Sequence, residues 1–128
     1  MITPDIDGKV TNYFEWLQAG VIEIEKLAGA MHRGNLILKR VYYGFDLDNL
    51  YLRFNINKGI LKEARVTIIL DIKSSFISRI RLPLSSKEKE IKCERYSLSQ
   101  NGAFKRLSTG AKAVFKDILE CSISFSEL

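Results

Sequence analysis

Side chains able to do chemistry are few and scattered in this chain. There is one histidine, His32, and there are two cysteines, Cys93 and Cys121. A single imidazole excludes any site that needs two, and the two thiols lack metal-ligand spacing. Both cysteines fall in runs that read as strands, with apolar neighbours two positions away on the same face. Buried free thiols acting as small hydrophobes are the leading reading, and a disulfide is the other. His32 follows Gly29-Ala30-Met31 and reads as a loop or strand-edge residue held by local hydrogen bonds. Asp46 and Asp48 suit a turn, whereas a calcium site would need six or more oxygens gathered from elsewhere. No glycine motif that cradles phosphate occurs, and no two of the fifteen acids are marked by the sequence as sharing a pocket for glycosidic chemistry. No catalytic residue, metal ligand or cofactor is therefore expected, and the chain does not read as an enzyme.

Aromatic residues are the remaining resource. Tyr13, Phe14 and Trp16 cluster in one short segment, and Tyr42 and Tyr51 fall on faces opposite the inward sets of their strands. A sugar ring stacks on a flat aromatic face through apolar and dispersion contacts, while nearby polar groups orient its hydroxyls. Trp16, Tyr13, Tyr42 and Tyr51 are the candidate carbohydrate-binding residues on this argument. The competing reading makes Trp16 a core or domain-interface anchor. Its exposure separates the two, because a buried Trp16 favours the structural role and an exposed one beside Tyr13 favours the sugar.

The elements that must position these residues alternate at period two, the signature of half-buried strands. In LYLRFNIN (residues 50–57), Leu50, Leu52, Phe54 and Ile56 face one side while Tyr51, Arg53, Asn55 and Asn57 face the other. ARVTIILDI directs Val66, Ile68, Leu70 and Ile72 inward, FISRIRLPL does the same with Ile80 and Leu82, and LECSISF with Leu119, Cys121, Ile123 and Phe125. Pro83 lacks an amide donor and suits an edge or a strand end. In KEIKCERYSLS the parity slips, since Ile91 and Cys93 share one face and Tyr96 and Leu98 the other, and a bulge near Glu94 or Arg95 would reconcile them. Residues 41–56 read as a hairpin turning at Asp46-Leu47-Asp48-Asn49. Helix is confined to a short segment near residues 11–18, where Asn12 and Glu15 form a weak capping box and Gly20 follows. The expected fold is all-β, an antiparallel Ig-like, jelly-roll-like β-sandwich.

With 128 residues, 46% of them hydrophobic, the chain is expected to form one domain over residues 1–128 with a core that needs no disulfide or metal. MITPDIDG has no basic or apolar leader character, and no window approaches the roughly 18 apolar residues of a membrane span. No membrane partner is expected, and the expected location is the cytoplasm. Residues 1–64 carry eight Lys or Arg and eight Asp or Glu, while residues 65–128 carry twelve and seven, which places the whole +5 excess in the second half. The densest stretch, SKEKEIKCER, interleaves both signs, as a solvated strand or loop does. A phosphate-binding surface would show unbroken positive charge, so nucleic acid is not an expected partner.

Four runs, IDGKVTNYFEWLQAG (residues 6–20), GAMH (29–32), YYGFDLDNLYLRF (42–54) and ILECSISFSEL (118–128), occur in an order that resembles the β-sandwich following the catalytic barrel in family 57 glycoside hydrolases, the α-amylase and glucanotransferase relatives. More loosely they are similar to family 9 carbohydrate-binding modules and DOMON-type sandwiches. The resemblance implies a non-catalytic accessory domain that packs on the catalytic domain of a parent hydrolase, with α-glucan as its ligand if it has one. The alternative is a purely structural protein-interaction domain without a ligand. DOMON relatives that bind haem use a methionine and a histidine, but the adjacent Met31 and His32 could hardly reach opposite faces of a macrocycle, so haem is not expected. In the sandwiches it resembles, a run like ILECSISFSEL is followed by one more strand. If that strand is missing, an open edge predicts a homodimer through strand pairing, or closure by residues 2–6, whose reach Pro4 would limit.

Overall fold

The computed structural model describes residues 2, 4–9, 16, 19–24, 38–57, 59, 66–74, 76–85, 87–99 and 101–128. Ten strands follow one another along the described chain: β1 (Gly20–Glu23), β2 (Leu38–Phe45), β3 (Asn49–Ile56), β4 (Val66–Lys73), β5 (Ile77–Leu84), β6 (Glu90–Ile91), β7 (Glu94–Leu98), β8 (Phe104–Leu107), β9 (Lys112–Phe115) and β10 (Leu119–Ser124). They form two antiparallel sheets, one of six strands in the order β1-β2-β3-β10-β9-β6 and one of four in the order β4-β5-β7-β8. The sheets pack face to face, so the expected all-β sandwich is what the chain forms. A 3-10 turn, Phe125–Glu127, closes the described chain.

Alternation explains the core. Phe54, Ile56, Ile68, Ile80, Leu82, Leu119, Cys121 and Ile123 meet in one buried cluster, each on the inward parity read from its run. A side chain of this size contributes about 1.5–3 kcal/mol when withdrawn from water, so the inward faces hold the sheets together. Cys93 and Cys121 are both free thiols, Cys121 fully buried and Cys93 packed against the same cluster. Burial pushes the Cys93 thiol up to about 11 and raises that of Cys121 further, which keeps both protonated and inert.

The slipped parity around residue 94 has a different cause from the expected bulge. Ile91 pairs with Ala113 in the six-stranded sheet, whereas Arg81 pairs with Glu94 in the four-stranded one. The chain changes sheet at Lys92-Cys93. Arg95 lies opposite Ile80 and Tyr96 opposite Arg79, so Tyr96 and Leu98 are on the outer face and the inward positions of β7 are the polar Arg95 and Ser97. Arg95 donates to the carbonyls of Ser108 and Glu127, which ties β7 to the closing turn.

The hairpin of β2 and β3 turns where expected. Asp46 Oδ1 accepts the amides of Asp48 and Asn49, each at 2.8 Å, which is the local side-chain chemistry that short acids bring to turns. β10 lies inside its sheet, paired with β3 on one side and β9 on the other, so the open edges are elsewhere. Among the described residues the N-terminal segment bonds to β2 from the Ile2 amide to the Phe45 carbonyl. Of the segment expected to be helical only Trp16 is described, in a 3-10 turn whose carbonyl accepts the Ala19 amide.

Candidate functional site

The outer face of the six-stranded sheet carries three of the four aromatic candidates. Cross-strand register places Tyr42 beside Arg53, Arg53 beside Glu120 and Glu120 beside Val114, while Gly44, Tyr51 and Ser122 form the next row. This face would be wet if nothing covered it. The N-terminal segment lies over it instead, and Ile2, Trp16 and Tyr51 form a second, smaller buried cluster with Ile6, Ala19 and Tyr42 against it.

Glu120 organises the cover. It is 0% exposed, and it accepts the Gly8 amide at 2.9 Å and the Asp7 amide at 3.3 Å on one oxygen, and the Trp16 indole N–H at 3.0 Å on the other. Gly8 has a φ of 74°, and a Cβ there would stand 2.8 Å from the Lys116 amide nitrogen, so only glycine fits. Its carbonyl accepts the amides of Asp117 and Ile118. The short DG pair is thereby stitched to both the start of β10 and the turn before it. Burial raises the Glu120 carboxyl to about 7, a side-chain contact with Asp7 acts the same way, and the three N–H donors hold it back.

Trp16 is 5% exposed and Tyr51 6%. The Trp16 indole spends its one donor on Glu120, and the Tyr51 hydroxyl donates to Asp46 Oδ2 at 2.5 Å. That bond, with those from Asp48 and Asn49, holds the Asp46 carboxyl below its ordinary range. Tyr42 is half-buried with the Arg53 guanidinium 4.6 Å from its ring centroid, a cation–π contact that covers part of one face. Tyr13 lies outside the described residues, as do Met31 and His32. The structure therefore brings Trp16, Tyr51 and Tyr42 to one face, with Trp16 and Tyr51 buried in a layer and Tyr42 half-buried against it.

A carboxyl that titrates near neutrality could in principle move protons. In Glu120 both oxygens are occupied by donors from the fold, and none of its surface reaches solvent. Next to the cover runs an open groove of about 750 Å³, lined by Lys87, Lys89, Lys112 and Lys116 together with Glu88 and Glu90. Four lysines face three carboxylates there, counting Asp7, so both signs are interleaved, and among the described residues its lining contains no aromatic ring. Among the described residues no group of three or more His, Cys, Asp and Glu could hold a metal ion, and no helix is long and apolar enough to cross a membrane.

Glu120 escaped the sequence reading because alternation assigns it to the wet face with Ser122 and Ser124. Its partners are more than a hundred residues away. A lone acid in an otherwise apolar and hydroxyl-bearing final strand was the one available signal.

Comparison with protein-family models, with curated proteins and with solved structures finds no match for this chain. The likeness to family 57 sandwiches rests on the four sequence runs alone.

Proposed function

We propose that this chain is a non-catalytic β-sandwich that works as a protein-interaction domain, of the accessory kind that packs on a catalytic domain in family 57-type hydrolases. The observation that carries this reading is the use of Trp16 and Tyr51. The rings best suited to stack on a sugar are buried, and their polar tips are bound to Glu120 and Asp46. An aromatic platform for glucan must present a free face, and these two do not.

The surface that suits a protein partner lies on the opposite face of the same sheet, at its β1–β2 edge. Tyr43 and Phe45 have inward parity, yet they are 46% and 55% exposed, and Phe125 packs edge-on against Phe45 while exposed itself. Ile22 on β1 extends this strip. An apolar strip with three aromatic rings is the composition of an interface centre.

Two measurements test the reading. Maltooligosaccharides at saturating concentration should leave Trp16 fluorescence and backbone amide shifts unchanged. Sedimentation with the protein or domain encoded beside this chain should show a complex, and Phe45→Asp should weaken it about tenfold or more, as loss of an aromatic anchor does. A saturable sugar response at Tyr42 would instead make the chain a glucan-binding module.

A further inference from the structure

We propose that β4 is a self-association edge, on which a second copy of this chain pairs its own β4 antiparallel to form one continuous eight-stranded sheet. The inference goes beyond the interaction-domain reading and uses a different surface from the β1–β2 strip. Among the described residues the two sheets end in four edge strands. β1 has four residues, β6 has two, and β8 has four with Lys105 and Arg106 at its centre. Short length and central lysine or arginine are how sheets keep their edges from pairing with other chains. β4 has neither device. It runs for eight residues, VTIILDIK, with no proline, no register shift against β5 and its only lysine at the end.

The strand is also self-complementary in one register. Its outward set is Thr67, Ile69, Asp71 and Lys73, and the apolar member, Ile69, stands in the middle at 51% exposed. A two-fold axis normal to the sheet through Ile69 keeps inner faces inner and outer faces outer. It sets Ile69 on the partner's Ile69, Thr67 on the partner's Asp71, Ile68 on the partner's Leu70 and Val66 on the partner's Ile72. The exposed isoleucine is then covered, and a hydroxyl meets a carboxylate twice. Val66, Leu70 and Ile72, only half-buried within one copy, gain apolar neighbours. Moving the axis to Leu70 would set Ile69 on the partner's Asp71 and lose this match.

Sedimentation of the full chain at micromolar concentration should give twice the monomer mass. Ile69→Lys should return it to the monomer while the far-ultraviolet β-sheet spectrum is retained, since the side chain points outward. Under mild oxidation Ile69→Cys should cross-link two copies and Thr67→Cys should not, because only residue 69 meets itself in this register. A monomeric wild-type chain overturns the proposal. So does a dimer that survives Ile69→Lys, or one dissolved by Phe45→Asp, which would place the contact on the other sheet.

Discussion

Glu120 shows how one side chain can hold a layer in place and still destabilise it. Its folded-state carboxyl titrates at about 7 against an ordinary 4.5, chiefly through burial. The folded protein therefore binds this proton more tightly than the unfolded one does. The resulting contribution is complete below about pH 4.5 and is lost as pH rises through about 7. A shift of this size corresponds to on the order of 3 kcal/mol, so the unfolding midpoint should be higher at pH 5 than at pH 8. Glu120→Gln should flatten that dependence. It should also cost about 1 kcal/mol throughout, because the amide nitrogen must face either the indole or the backbone donors. Chemical denaturation of both proteins across this range measures the two effects. A wild-type profile that Glu120→Gln leaves unaltered would remove Glu120 from the account.

At the scale of elements, the N-terminal segment acts as a third layer laid on the outer face of the six-stranded sheet. Its described residues are held by the bonds at Gly8, by the indole of Trp16 and by the Ile2 amide on β2. Gly8→Ala should strain the segment through both its positive φ and the Lys116 amide nitrogen. The expected loss is about 1–3 kcal/mol. Because Trp16 is the single tryptophan and is buried, its emission reports directly on this layer. Gly8→Ala should shift it to the red while the far-ultraviolet β-sheet signal persists. An unchanged emission maximum together with unchanged stability would mean that the segment is not clamped at Gly8.

Across the whole molecule the two sheets differ in width, and this decides which inward residues are core. Phe45, Leu50 and Ile123 occupy one cross-strand row of the same face, and exposure falls from 55% at Phe45 to half-buried at Leu50 and 0% at Ile123. Replacing Ile123 by alanine should cost about 2–5 kcal/mol, whereas Phe45→Ala should cost far less in the isolated chain. Thermal denaturation of the two variants checks the contrast. Alternation in the sequence by itself determined the class of fold, the strands at residues 50–56, 66–72, 77–84 and 119–124, the hairpin turn at Asp46 and the inward parity within those strands, because these depend on neighbours two to five residues apart. Phe125, read as the inward end of the last run, instead begins the 3-10 turn and is exposed. Tertiary structure alone decided the rest. Four strands cannot cover six, so Tyr43 and Phe45 stay open although their parity points inward. A cover brought from the far end of the chain turned Tyr51 and Glu120 from wet-face positions into buried ones and removed Trp16 from any exposed platform. The parity slip at residue 94 became a change of sheet, because a local pattern records that alternation breaks but not which sheet receives the strand. Burial depends on what lies opposite a residue in space, and for Glu120 that is a glycine 112 positions away.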